Sequence, residues 1–195
     1  KAIVILSGGQ DSTTCLLMAI KKYKRNNVEA ISYIYNGKYR KDVECAKKIC
    51  EELKIKHNIF DAGIIQSMGR SNNVEGRNLI LISLASIYAQ TKNIHNIIIG
   101  LAGSSIHPDC TIDFVEELQK TIRKATDYEI NIIAPLINLK KSEIWGIADQ
   151  LGYLEFVENK TYSCWNNQKE HCGECLSCKM RFNGLEEYKE KKDGK

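Results

Sequence analysis

Ala2-Ile3-Val4-Ile5-Leu6-Ser7-Gly8-Gly9-Gln10-Asp11-Ser12 is the stretch whose reading decides the fold. Five apolar residues in a row describe a strand buried on both faces, as in a parallel sheet. Two adjacent glycines then let backbone N–H groups turn toward a ligand with no Cβ in the way. A helix starting near Ser12 adds the positive end of its dipole, so strand, loop and helix together build an anion cradle. Ser7 and Ser12 supply hydroxyls. Asp11 supplies a carboxylate suited to Mg²⁺ or to capping the helix.

Working outward, the hydrophobic period alternates between strand and helix. The strands are read at Ala2–Leu6, Val28–Tyr35, Lys56–Phe60, Ile97–Gly100 and Asn131–Ala134. The helices are read at Ser12–Tyr23, Lys41–Leu53, Asn78–Gln90, Ile112–Lys124 and Lys140–Leu151, the last stopped by Gly152 at the C′ position. Asn78–Gln90 is apolar nearly all round (Leu79, Ile80, Leu81, Ile82, Leu84, Ala85, Ile87), which predicts a buried central helix. This alternation predicts an α/β fold, a doubly wound parallel sheet of about five strands with helices on both faces. Ligands of such sheets bind at the carboxyl ends of the strands. The loops after strands one, two (Tyr35–Arg40) and four (Gly100–Asp109) are therefore expected to meet in one crevice.

With 195 residues the chain is most simply one main domain, expected at 1–155, with a small segment at 156–195 packed on it. The net charge of +4 is spread among interspersed Lys and Arg, too mild to argue for nucleic acid. No apolar run reaches the length of a membrane span, and a core strand stands where a signal peptide would, so no membrane partner is expected. Eight cysteines need an explanation. Cys15, Cys45, Cys50 and Cys110 are scattered, whereas Cys164, Cys172, Cys175 and Cys178 form C-x7-C-x2-C-x2-C. This usage predicts a reducing, cytoplasmic setting and a metal site rather than a disulfide framework. Two residues between cysteines let neighbouring thiolates reach one tetrahedral ion, and four thiolates close its shell. The set is read as a structural zinc site, one ion per chain. A [4Fe–4S] cluster also takes four cysteines, and a redox dithiol or plain buried thiols are further readings. A dithiol usually sits at the start of a helix, whereas this cluster follows the last predicted one. His171 is read as lying beside the ligands or exposed.

The loop resembles the pyrophosphate loop of ATP pyrophosphatases, and its spacing is not that of a Walker A loop. Taken with Thr13-Thr14-Cys15-Leu16, Gly76-Arg77-Asn78, Pro108-Asp109-Cys110, Pro135-Leu136, Lys141-Ser142-Glu143-Ile144-Trp145 and the terminal cysteines followed by Lys179 and Arg181, it is similar to the 7-cyano-7-deazaguanine synthase family of queuosine and archaeosine biosynthesis. The similarity runs from about Ile3 to Tyr188. It implies a ligase that adenylates 7-carboxy-7-deazaguanine with ATP and Mg²⁺, then uses ammonia to reach the amide and a second ATP to reach the nitrile. It implies ATP binding by Leu6, Ser7, Gly8, Gly9, Gln10, Asp11, Ser12 and Thr13. Asp11, Ser12 and Arg77 are the implied catalytic residues, and Arg77, Asn78 and Asp109 the implied contacts to the deazapurine acid. Cys164, Cys172, Cys175 and Cys178 are the implied zinc ligands, and a homodimer is implied as well. Without the resemblance, Arg77 reads as a surface cation at a helix start and Asp109 as a cap for the helix near Ile112.

The chain also departs from the family's pattern. The stretch before Gly76 is short (Ser71–Val74, then Glu75), Leu101–Ile106 lacks the usual acidic residues, His107 stands where the family has tyrosine, and the second-strand loop reads Asn36-Gly37-Lys38-Tyr39. These changes motivate a second reading, a diverged ligase that passes the acyl group to an amine on a protein or nucleic acid. A tRNA-thiolating relative would need a reactive thiol in the crevice, where only Cys110 and, inside its helix, Cys15 are placed. A zinc-ribbon nucleic-acid module has thin support from Tyr162, Trp165, Lys179 and Arg181.

Overall fold

The structure is a computed structural model that describes residues 1–34, 41–63, 75–103, 107–166 and 168–194. Among these, five strands form one sheet: β1 (Ala2–Ile5), β2 (Val28–Ile34), β3 (Lys56–Asp61), β4 (Asn96–Ile99) and β5 (Asn131–Ile133). They lie in the order β3-β2-β1-β4-β5, and every neighbouring pair is parallel. Seven α-helices accompany them: α1 (Gln10–Tyr23), α2 (Lys41–Leu53), α3 (Arg77–Thr91), α4 (Ile112–Thr126), α5 (Lys141–Gln150), α6 (Leu154–Lys160) and α7 (Leu176–Asp193). None is long and apolar enough to cross a membrane.

β1 is buried along its whole length because both faces are covered, which is why its sequence is an unbroken apolar run. Ala2 and Val4 point to the core shared with α1, α2 and α5 (Leu16, Ile49, Ile144, Trp145). Ile3 and Ile5 point to the core shared with α3 and α4 (Ile82, Ala85, Val115, Leu118). The chain runs outward from β1 to β3, then returns to lay β4 on the other side of β1. The β1–β4 boundary is therefore the switch point, and the glycine loop leaves β1 there.

Three sequence readings change. First, α1 begins at Gln10, with Gly9 as its N-cap, so Asp11 lies inside the first turn instead of capping it. Second, α3 is not buried all round. The sheet covers Leu81, Ile82, Ala85 and Ala89, while Leu79, Leu84 and Ile87 are 46%, 41% and 56% exposed. A helix that is apolar on every side gives no sign of which half the sheet takes. Third, the last helix is not the one ending at Gln150. Both α6 and α7 follow it, and α7 starts inside the cysteine cluster, with Cys175 as its N-cap. The buried stripe of α7 is Cys178, Arg181, Gly184 and Leu185, too narrow and too polar to register as an apolar period. The stop at Gly152 is as expected. Gly152 has φ +78°, its N–H donates to Asp149, and Tyr153 N–H donates to Ala148, a Schellman closure. The loops read at Tyr35–Arg40 and Ser71–Val74, and residues 104–106 of Leu101–Ile106, lie outside the described residues.

Gly8 has φ +79°, and a Cβ there would lie 2.2 Å from the Asp42 carbonyl oxygen and 2.8 Å from Ala46 N. Strain in the left-handed region and overlap with α2 then act together. Gly8→Ala is expected to cost at least about 3 kcal/mol, lowering the midpoint of thermal unfolding by about 6–12 °C for a chain of this size. An unchanged midpoint in calorimetry would show that α2 does not press on the loop.

Candidate functional site

The glycine loop is assembled by its own hydroxyls. Ser7 N–H donates to Ser12 Oγ at 3.2 Å, the Ser7 and Ser12 hydroxyls lie 3.0 Å apart, and Ser12 Oγ donates to Gly9 O at 3.3 Å. Leu6 extends the sheet by donating from its N–H to Ile31 O at 2.7 Å. Gly100, at the end of β4, closes the other side. A Cβ there would lie 2.8 Å from Ser12 N and 3.0 Å from Asp11 C, so strand four reaches the loop backbone directly.

Inside this frame several polar atoms have no protein partner among the described residues. Gln10 is 2% exposed, yet neither its amide nitrogen nor its carbonyl oxygen is paired. The Thr13 hydroxyl and Asp11 Oδ1 are likewise buried and unpaired. Buried polar side chains are nearly always hydrogen-bonded, so four such atoms clustered on one helical turn make this turn the candidate ligand site. Asp11 Oδ2 is ion-paired with the ammonium of Lys141, the first residue of α5. Both side chains are about four-fifths covered. Sequence reasoning placed Lys141 in a motif without giving it a task. The residue sits at the positive end of its own helix dipole, an unfavourable place for a cation unless something else holds it there.

Arg77, Asn78 and Asp109 form a second group. Asp109 is 9% exposed, and its Oδ2 accepts the N–H of Asn78 at 3.0 Å in the first turn of α3. Asn78 Nδ2 reaches back to Asp109 O at 3.3 Å and to Cys110 Sγ at 3.4 Å. Asp109 therefore caps α3 rather than α4, whose cap is Thr111, accepting from Phe114 N–H at 3.2 Å. Arg77 is exposed at the start of α3, with no hydrogen bond or ion pair among the described residues. The structure thus joins Asn78 to Asp109 and joins the loop to Lys141. Among the described residues no hydrogen bond or ion pair joins the two groups. Cys15 lies at the back of α1, fully buried, and burial pushes its thiol far above the usual range. That removes Cys15 as a reactive sulfur.

The four sulfurs of Cys164, Cys172, Cys175 and Cys178 lie within 4.8 Å of one another. Cys172 Sγ and Cys178 Sγ are 3.9 Å apart. Four ligands about 2.3 Å from one ion stand about 3.8 Å from each other, so the set fits a single tetrahedral metal. An iron–sulfur cubane sits between its thiolates and spreads them wider. This convergence carries the metal reading. Cys175 and Cys178 stand at a helix start, so distance from a helix does not set this cluster apart from a redox dithiol. His171 is not among the converging ligands. Its Nε2 accepts the Ser163 N–H at 3.2 Å, and burial, then Arg181 and Lys41, push its pKa down to about 4, which keeps it a neutral acceptor.

Behind the cysteines lies Arg181, which the sequence offers only as part of a motif and as a basic residue of a zinc-ribbon module; it is 3% exposed and so is not on a nucleic-acid-facing surface. Its guanidinium donates to Thr161 Oγ1 at 2.7 Å, Val157 O at 3.0 Å, Glu158 O at 2.8 Å and Ser163 Oγ at 3.4 Å. It also lies 5.1 Å over the Trp145 ring. Its charge is thus met by the carbonyl end of α6 and by an aromatic face.

The family model described as queuosine biosynthesis protein QueC matches residues 1–72 and 69–189. A 7-cyano-7-deazaguanine synthase from Clostridium acetobutylicum is 40% identical, over 97% of this chain and 95% of that protein. One from Clostridium botulinum is also 40% identical, over 96% and 95%. Among solved structures, an NMN synthetase from Francisella tularensis has a TM-score of 0.55 at 20% identity, covering 100% of this chain and 77% of its own. An NH3-dependent NAD synthetase from Campylobacter jejuni has 0.53 at 20%, covering 98% and 86%, and these two support the fold alone. On the family match and the relatives at 40% identity along nearly the whole chain, this protein belongs to the QueC family of queuosine biosynthesis proteins.

Proposed function

We propose that the protein is an ATP-dependent carbon–nitrogen ligase that adenylates 7-carboxy-7-deazaguanine and converts it, with ammonia, to 7-cyano-7-deazaguanine. The observation that carries this reading is the turn Gln10–Thr13: buried, unpaired polar atoms on a helix N-terminus at the switch point of a parallel sheet. Family membership and the names of the relatives support the choice of acid and product.

In this reading the loop Leu6–Thr13 holds the triphosphate, with the N–H groups of α1 and the Ser7 and Ser12 hydroxyls on its oxygens. Magnesium bound with ATP would neutralise phosphate charge, and Asp11 would hold it through Oδ1, the oxygen not paired with Lys141. The acid's carboxylate oxygen attacks the α-phosphorus, and the bond to the β-phosphate oxygen breaks. Lys141 stands beside the leaving pyrophosphate, where negative charge develops. Ammonia then attacks the acyl carbon, AMP leaves, and the amine loses its extra proton to solvent. The amide oxygen attacks a second ATP in the same way. Loss of AMP and of the N–H protons leaves the nitrile. Arg77, a fork-shaped cation, suits the acid's carboxylate or a phosphate. Asp109 and Asn78 suit the amine edge of a guanine-like ring, Asp109 as an acceptor whose second oxygen is not used by the α3 cap. The four cysteines hold one zinc that takes no part in the reaction, because four thiolates leave it no open position. The apolar outer face of α3 (Leu79, Leu84, Ile87) supports a homodimer.

Incubation with ATP, ammonia and 7-carboxy-7-deazaguanine, followed by mass spectrometry, is expected to yield AMP, pyrophosphate and the nitrile. ADP in place of AMP would sink the adenylation claim, and an acid-independent reaction would sink the substrate. Asp11→Ala should keep the fold and lower turnover by about two to three orders of magnitude. Wild-type turnover in that variant would move the chemistry elsewhere. Elemental analysis is expected to find one zinc per chain, and Cys172→Ser should lose it and loosen the C-terminal segment. Stoichiometric iron with a visible chromophore would refute the zinc assignment.

A further inference from the structure

One short segment belongs both to the cysteine cluster and to the glycine loop. Tyr162 N–H donates to Gly8 O at 2.8 Å, inside the loop. The Tyr162 ring is 5% exposed and packs in one small cluster with Cys164 and Cys178. The next residue, Ser163, accepts the N–H of Gln10 at 3.3 Å, the first residue of α1. A Cβ on Gly9 would lie 3.4 Å from Ser163 Oγ and 3.6 Å from Tyr162 O, so loop and segment are in van der Waals contact. Arg181, three residues beyond Cys178, donates to the hydroxyls of both Thr161 and Ser163. Cys164 follows directly. Over four residues the chain passes from a buried guanidinium, across the loop, to a metal-ligand thiol.

We infer that Thr161–Cys164 couples the two sites: metal on the four thiols fixes this segment against Gly8–Gln10 and so tightens nucleotide binding, with Ser163 as the positioning residue. The inference rests on the nucleotide site proposed above and adds to it a dependence on the metal. The geometry explains how. Ser163 Oγ receives two N–H donors, one from Gln10 at the start of α1 and one from Arg181, so its position is set by the loop and by α7 together. Without the tetrahedral constraint at Cys164, the segment is held on the cysteine side only by the hydrogen bonds of Ser163 N–H to His171 Nε2 at 3.2 Å and of the Tyr162 hydroxyl to Gln168 O at 2.7 Å. Coupling of this kind is reciprocal, so bound nucleotide must strengthen metal binding by the same factor. A purely structural metal, folding its own segment and nothing else, would not respond to nucleotide.

The test measures zinc affinity of the full chain by equilibrium competition with a chelator, with and without ATP presented as its magnesium complex. Binding of that complex is followed in parallel by equilibrium dialysis. In the wild type, saturating Mg-ATP is expected to raise zinc affinity roughly fivefold or more. Ser163→Ala should keep one zinc per chain, bind Mg-ATP about fivefold more weakly, and lose most of the coupling. Ser163→Thr, which restores a hydroxyl, should recover it. Mg-ATP that binds while zinc affinity stays fixed would overturn this inference alone, as would full coupling in Ser163→Ala. A wild type that fails to bind Mg-ATP would overturn the nucleotide site and this inference together. The wild-type measurement decides the matter even if the alanine variant does not fold.

Discussion

The carboxyl edge of this sheet depends on main chain meeting main chain with no side chain between. At Gly8 the loop passes so close to α2 that a methyl group would overlap the Asp42 carbonyl, and at Gly100 strand four reaches the backbone of Asp11 and Ser12. Both contacts fix where the N-terminus of α1 points. The hydroxyl network of Ser7 and Ser12, the placement of Gln10 and Thr13, and the approach of Lys141 follow from that direction. A rigid frame of this kind can aim N–H groups at an anion without reorganising when the anion arrives.

The second support comes from a buried charge. Placing a guanidinium at 3% exposure is costly unless its donors are met. Here they are met by neutral acceptors, chiefly the last carbonyls of α6, which carry the negative end of a helix dipole. Burial still brings the Arg181 pKa down to about 10, so the group stays charged under any ordinary condition. Because Trp145 donates its indole N–H to Arg181 O at 3.1 Å while its ring lies against the guanidinium, α5 and α7 are fastened at the same point. The cysteine-bearing helix is thereby held to the helix that carries Lys141.

The sheet was legible because its signals are local. β1 is an uninterrupted apolar run, α2 and α4 have one-sided stripes, and Gly8-Gly9 has few readings once a strand precedes it. What stayed hidden needed knowledge of neighbours. The half of α3 that faces solvent is set by the sheet, since Leu79 and Leu81 are alike in sequence. α7 was invisible because its buried stripe contains an arginine and a glycine, and the glycine is there to admit Lys141: a Cβ at Gly184 would lie 2.5 Å from Lys141 Cβ. Without the family resemblance, Asp109 reads as a cap for the nearest helix, whereas the topology hands it to α3, about thirty residues earlier in sequence. The cysteine spacing points to four converging thiols, yet nothing in that spacing says that the residues just before Cys164 lie on the glycine loop.

That last contact bears on why Lys141 and Asp11 are paired at all. Asp11 in the first turn of α1 is favoured by the helix dipole, while Lys141 at the start of α5 is opposed by its own. A pair that is four-fifths covered gains from its charges only if the geometry is held, because desolvation works against both partners. The holding is done from behind: Gly184 of α7 packs against Lys141, and α7 is anchored by Arg181 and the cysteines. The cation in the proposed phosphate site therefore owes its position to the same helix that carries Cys178 and has Cys175 as its N-cap, and loop, lysine and cysteine cluster form one mechanical unit around the N-terminus of α1.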